Sequence, residues 1–335
     1  MTLKINFTNY HLQSDWQDAS INEKIWLHSI NIKNNNHNDD DLKKNYDLKI
    51  INESDIIIDN DKKNDDNDFI IEDYSKKCLA INDVKSNVTH RFIAPVRVFQ
   101  SIHQKSIISL DVAPTGIAVS SSTDGTMKIW DTCTNVLKYE LKGHYLDVNR
   151  CRFFPSNEVI VSVGLDMLIK IWSAIDGSCP VTMKGHTGSI NDLAIVDRGR
   201  NIITVGRDGL AKLWSCAKQT CIENLFDTEN IPINACAIKS FSNSYDLGQR
   251  KDSANDDISR SPVLSMISVR RPFNGFVVSH QDGSVDFHYD NHNQLLHLTG
   301  SDCDPIYQIV YDDKFIYTAC RDGKVRKYYL NNAFE

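Results

Sequence analysis

The chain has 335 residues, is 41% hydrophobic and 24% charged, and carries a formal net charge of −7. This is the balance of a globular protein with a sizeable core, and its acidity argues against nucleic acid as a partner, since an acidic surface gains no counterion-release energy from a polyanion. The opening residues hold no apolar stretch of signal-peptide length and no run approaches 18 apolar residues, so neither secretion nor a membrane span is expected.

Residues 1–90 read as a small irregular N-terminal domain. Residues 14–30 suggest a short helix, and Ile56–Ile58 and Phe69–Ile71 suggest strands. Between residues 31 and 68, Asn and Asp make up 20 of 38 positions, and the low-complexity runs Asn34–Asp41 and Asp59–Asp68 predict loops or disordered spacers. The run Phe92–Phe99 then reads as a strand that completes the last sheet of the following domain, because closure removes an exposed edge.

Residues 91–330 carry a repeat. Trp130, Trp172 and Trp214 are spaced by 42 and 42, as are Asp124, Asp166 and Asp208. Ser120, Ser162 and Thr204 each stand four places before an aspartate. Gly143-His144 and Gly185-His186 are again 42 apart, and His103 precedes His144 by 41. Four residue types in one register, with short apolar runs between turn residues, match the blades of a WD40 β-propeller. Asp-Gly at 124–125 and 208–209 suits a tight hairpin turn, whereas Asp166-Met167 predicts a turn of another type. Weaker copies centre on Asp282-Gly283 and Asp322-Gly323, with other aromatics, Tyr289 or His288 and Tyr328, at the tryptophan position. From Asp208 to Asp282 the distance is 74, short of two units. Ile231–Ile238 reads as a strand there and 240–261 as a solvated loop. The expected fold is all-β, with about six recognisable blades after the N-terminal domain.

Resemblance to WD40 blades implies that His, Ser or Thr, Asp and Trp form a chain of hydrogen bonds. His144–Ser162–Asp166–Trp172 is one set and His186–Thr204–Asp208–Trp214 another, with Asp124 and Trp130 in the first blade. The same side chains suggest a hydrolase triad, but a set repeated in every blade, without a G-x-S-x-G elbow, reads as structural. No phosphate-binding G-x-x-x-x-G-K-[ST] loop appears. The nine cysteines are irregularly spaced and read as reduced thiols rather than a zinc site or disulfide framework. The chain is therefore expected not to be an enzyme and to need no cofactor or metal.

Several stretches resemble the proteasomal ATPase-associated factor family: Gln13–Trp16, Ser120–Trp130, Asp147–Ser156, Ala194–Asn201, Pro262–Arg270, Leu298–Tyr307 and Tyr317–Arg326. The pieces at 194–201 and 298–307 are not generic repeat residues and carry the most weight. The resemblance implies a seven-bladed propeller that binds ATPase subunits of the proteasomal 19S regulatory particle and acts as a chaperone or regulator of its assembly; the reduced thiols point to the cytoplasm or nucleus. A WD40 scaffold or substrate receptor of a ubiquitin-ligase or signalling complex is the alternative. WD40 geometry places the partner-contacting candidates on one rim: Tyr145, Asp147, Asn191, Arg207, Gln281, Asp302, Asp304, Tyr307 and Arg321. Acidic Asp147, Asp302 and Asp304 are expected to steer a basic partner, and a monomer is expected. Asp197–Arg200, with Gly199 at positive φ, is a second candidate on the opposite rim.

Overall fold

The computed structural model describes residues 7–13, 15–32, 43–58, 68–196, 199–229, 231–236, 263–269, 275–280, 285–289, 294–300, 304–312 and 314–329. It divides into two compact units, one of residues 1–99 with 263–335 and one of residues 100–262. The low-complexity runs of 33–42 and 59–67, the expected loop at 240–261, and Gln281, Asp282, Asp302, Asp197 and Arg198 lie outside the described residues.

In the first unit, β1 (Phe7–Leu12), β2 (Lys24–Ile32), β3 (Lys43–Ile50) and β4 (Ile56–Ile58) form an antiparallel meander. β5 (Phe69–Tyr74), β6 (Cys78–Asp83) and β7 (Val88–Ile93) follow. The helix expected within 14–30 is a strand instead, preceded by a single 3-10 turn at Trp16–Asp18. Ile25, Leu27 and Ser29 are buried and alternate with less buried neighbours, a period of two that a helix cannot serve. The strands expected at 56–58 and 69–71 are present. A core of Tyr10, Trp16, Ile25, Leu27, Leu48, Phe69, Leu79, Ile81 and Phe92 holds these strands together. Asp68 lies at its edge, accepting hydrogen bonds from Lys44, Lys85 and Tyr46.

Pro95 divides the run expected to be one closing strand. Before it, β7 pairs in parallel with a later blade; after it, β8 (Arg97–Phe99) pairs with the last blade. Proline has no N–H for a sheet ladder, so the two pairings part at this residue.

The second unit contains three consecutive four-stranded antiparallel sheets. The first is β9 (Ile107–Val112), β10 (Ile117–Ser122), β11 (Met127–Asp131) and β12 (Leu137–Leu141). The second is β13 (Val148–Phe153), β14 (Val159–Gly164), β15 (Ile169–Ser173) and β16 (Val181–Met183). The third is β17 (Ile190–Val196), β18 (Asn201–Gly206), β19 (Leu210–Ser215) and β20 (Thr220–Asp227). In β10 and β14 every residue after the first is buried, because both faces of the strand are covered. Apolar clusters fill the space between successive sheets, and each cluster takes in the tryptophan of the later blade: Trp172 in one, Trp214 in the next.

Side chains also link successive blades at the repeat distance. Phe153 N–H donates to Asp111 at 2.7 Å, and Asn149 Nδ2 donates to the Ile190 carbonyl at 2.7 Å. One repeat further on, Asn191 Nδ2 donates to the Ile233 carbonyl at 2.9 Å and Cys236 N–H to Asp192 at 3.1 Å. The described residues 231–236 therefore take up the inner-strand position of a further blade. They form no strand, contrary to the expectation for 231–238.

Back in the first unit, β21 (Val263–Val269), β22 (Gly275–His280), β23 (Val285–Tyr289) and β24 (Gln294–Leu298) form a blade. β24 accepts β7, so β7, β6 and β5 extend the sheet to seven strands. β25 (Ile306–Tyr311), β26 (Phe315–Cys320) and β27 (Val325–Tyr329) form another blade, completed by β8 as its fourth strand. Five blades are thus present among the described residues. The N-terminal sheet is locked on by Trp16, fully buried, whose indole donates to Thr299 Oγ1 at 3.0 Å; that hydroxyl donates in turn to the Ile93 carbonyl at 3.1 Å.

Candidate functional site

The repeated side chains meet inside each blade of the second unit. His144 Nδ1 lies 2.8 Å from Asp166 Oδ2, and its Nε2 lies 2.7 Å from Ser162 Oγ. Trp172 Nε1 donates to that same hydroxyl at 2.8 Å. The next blade repeats the pattern with His186, Asp208, Thr204 and Trp214, at 2.8, 2.7 and 2.8 Å. The carboxylate fixes the tautomer. It only accepts, so it takes Nδ1–H, leaving Nε2 to accept the hydroxyl's proton while the hydroxyl accepts from the indole N–H.

The first blade builds the chain more loosely. His103 Nε2 lies 2.8 Å from Ser120 Oγ, which takes the Trp130 indole at 3.0 Å. His103 Nδ1 lies 3.6 Å from Asp124, and Thr126 Oγ1 stands between them at 3.0 Å from the ring. Burial pushes the His103 imidazole down to about 4, against the pull of Asp124, and lowers His186 against the pull of Asp208. Both rings are neutral at pH 7. Burial raises Asp166, yet the His144 hydrogen bond and the Tyr145 and Leu168 amides outweigh it and hold the carboxyl below its ordinary range.

Each aspartate is also a clamp. Asp166 accepts from Tyr145 N–H at 3.1 Å on the entering loop and from Leu168 N–H at 3.2 Å in its own turn. The glycine before each histidine has a packing reason: a Cβ on Gly143 or Gly185 would sit 3.1 or 3.0 Å from the indole of Trp172 or Trp214. The hydroxyls of Ser120, Ser162 and Thr204 are fully buried between ring and indole, so this grouping has no access to a substrate.

The blade β25–β27 replaces this chain. Arg326, 3% exposed, stands two places before the aromatic Tyr328, where the other blades have Lys128, Lys170 and Lys212. Its guanidinium takes Asp322 at 2.5 and 3.3 Å. Tyr328 donates to the Thr299 carbonyl at 2.7 Å. The aspartate is thus kept while its partner changes from imidazole to guanidinium.

The aspartates hold the entering loops and turns that form the rim. In the second unit Leu165 N–H donates to the Asp147 carbonyl at 2.9 Å and Arg207 N–H to the Ser189 carbonyl at 2.8 Å. Tyr145, Asp147 and Leu165 are therefore brought together; Tyr145 and Arg207 are exposed, and Asp147 is half-buried. Asn191 is not free for a partner, since its amide holds Ile233. In the first unit Arg321 pairs with Asp304 at 3.2 Å, which weakens Asp304 as a steering charge; Tyr307 is exposed nearby in sequence. Gly199 has φ +86, as expected.

The turn at Asp166-Met167 differs from its expectation. Met167 takes φ +63, beside +78, +75 and +76 for Gly125, Gly209 and Gly323. All four donate N–H to the carbonyl three residues back. The same turn is made with a methionine in the left-handed region. Leu146 and Met167, both exposed, were not among the expected rim residues; the missing glycine was the available signal.

Among the described residues, no group of three or more His, Cys, Asp or Glu side chains is placed to hold a metal ion, and the described cysteines form no disulfide. Burial pushes the Cys151 and Cys320 thiols up to about 12. No described helix is long and apolar enough to cross a membrane.

These blades define a WD40-repeat protein. The WD domain, G-beta repeat family matches residues 93–131, 135–173 and 177–215. Proteasomal ATPase-associated factor 1 of Homo sapiens is 41% identical over 339 aligned positions, covering 79% of this chain and 86% of that protein; the Bos taurus protein of the same name is 40% identical with the same coverage. A Dictyostelium discoideum protein, probable proteasomal ATPase-associated factor 1, is 34% identical over 110 residues, 30% of this chain and 26% of its own length. The chain belongs to the proteasomal ATPase-associated factor 1 family. An alignment of 339 positions that takes up only 79% of a 335-residue chain leaves many positions facing gaps in this chain.

Proposed function

We propose that this chain is a non-catalytic binding protein that associates with ATPase subunits of the proteasomal 19S regulatory particle and acts as a chaperone or regulator of its assembly. Membership of the family, over 86% of the length of the human relative, carries the reading. The blade chemistry supports it, because the polar side chains that would suggest catalysis are buried and satisfied, while the rim residues Tyr145, Arg207, Arg321 and Tyr307 are exposed. Tyrosine and arginine are the side chains that most often anchor protein interfaces.

The test is a calorimetric titration of the full chain against the isolated C-terminal domain of each proteasomal ATPase. Saturable binding to one domain in preference to the others is expected, with no dependence on added nucleotide or metal. Absence of binding to any of them, from a chain with the circular dichroism of a folded β protein, would overturn the reading.

A further inference from the structure

The three blades of the second unit present the same four rim positions, and these allow an internal comparison. The positions are the first and second residues after the histidine, the residue before the turn aspartate, and the residue after it. The first blade has Gln104, Lys105, Thr123 and Gly125; the third has Thr187, Gly188, Arg207 and Gly209. None of these is a large apolar residue. The middle blade has Tyr145, Leu146, Leu165 and Met167, exposed by 84, 54, 37 and 40%. The hydrogen bonds from Tyr145 to Asp166 and from Leu165 to the Asp147 carbonyl tie loop and turn together. The four side chains therefore stand at one place.

Nothing in the blade's own packing requires them. Met167 sits at φ +63, where the two neighbouring blades have glycine and where a Cβ is disfavoured. Its side chain is exposed, so burial does not offset that strain. A flexible, polarisable methionine beside a tyrosine and two leucines is the composition of a binding anchor rather than of a solvated turn. The surrounding charge limits the occupant. The turn aspartates face inward to the imidazoles, with 13, 3 and 4% of their side chains exposed. The flanking blades carry Lys105 and Arg207 at positions equivalent to Leu146 and Leu165, and Lys184 is also exposed. Half-buried Asp147 is the opposing charge within the patch.

We propose that Tyr145, Leu146, Leu165 and Met167 form an apolar anchor site that takes an acid-flanked apolar segment of a partner protein. This rests on the protein-binding reading above and deepens it. The partner chemistry it specifies is opposite to the basic surface expected from the acidic candidates Asp147, Asp302 and Asp304.

Two probes separate failure of the site from failure of the partner reading. One is the set of ATPase C-terminal domains. The other is a pair of short amphipathic peptides with the same Leu and Phe residues, flanked in one by Glu and in the other by Lys. Each is titrated against the full wild-type chain and against Met167→Gly, which relieves the strained turn and so preserves folding, and Leu146→Ser. The Glu-flanked peptide is expected to bind in preference to the Lys-flanked one, and each substitution to weaken it about tenfold at an unchanged or raised melting temperature. If this holds while no ATPase domain binds, the site stands and the partner reading fails. Equal binding of both peptides, binding of neither, or binding that the two substitutions leave intact overturns the anchor site, even where an ATPase domain binds elsewhere.

Discussion

The blades β13–β16 and β25–β27 with β8 solve the same problem differently. Each must fix a turn aspartate beneath a rim loop. The first uses an imidazole relayed through a serine to a tryptophan. The second uses a buried guanidinium, with a tyrosine in place of the tryptophan. The difference teaches what the repeat conserves physically: the carboxylate that holds its own turn is common to both, and its counter-group is not. The buried guanidinium gives a stronger hydrogen bond but leaves a large penalty if either member is lost.

The largest expected effects come from breaking each solution. Trp172→Ala opens a cavity between the first two blades and is expected to destabilise the second unit by about 3–5 kcal/mol. Asp322→Ala strands a buried arginine and is expected to cost about 3–5 kcal/mol. Asp166→Ala removes the partner of an imidazole and two amides and is expected to cost less, about 1–3 kcal/mol. Urea denaturation followed by tryptophan fluorescence and hydrogen exchange checks all three. A larger cost for Asp166→Ala than for Asp322→Ala would contradict the greater penalty assigned to the stranded arginine.

Acidification sharpens the comparison. His103 titrates near 4 when folded against an ordinary 6.5, and His186 is also lowered. The unfolded chain therefore binds more protons than the folded one as pH falls below 6.5; the His103 blade loses stability across the window from about 6.5 to 4, and the His186 blade loses stability as pH falls below the ordinary 6.5. In the β25–β27 blade burial raises Asp322, but Arg326 outweighs it and holds the carboxyl below its ordinary 3.8. Its stabilising pair is lost only as pH falls through that lowered value. Hydrogen exchange, corrected for intrinsic rates, is expected to show β10 and β18 loosening by pH 5 while β26 and β27 do not. The smallest expected effect is Met167→Gly, a gain of about 0.5–1 kcal/mol from relief of the left-handed turn, net of the entropy of glycine.

The histidine blades were legible because their residues are fixed by contacts at a constant sequence distance, so the spacing of 42 reports the geometry directly. Asp322 was legible for the same reason. Arg326 was not, since the residue two places before the aromatic is lysine in the three blades of the second unit and donates elsewhere there, as Lys170 does to Thr182. The parallel seam of β7 on β24 joins strands about two hundred residues apart and leaves no local sign. Pro95 was in plain view, yet it marks a change of partner only once both partners are known. At Asp166-Met167 the departure was visible and its consequence misjudged: the surrounding hydrogen bonds impose the left-handed turn on methionine rather than yield to its preference.

The measurement that bears most directly on the rim as the binding surface is hydrogen exchange of the full chain with and without the ATPase domain that it binds most tightly. Added protection is expected in peptides spanning 143–148 and 163–168, with weaker protection around Arg207. Protection confined to the N-terminal sheet and β5–β7, with the middle blade's loops unchanged, would contradict it.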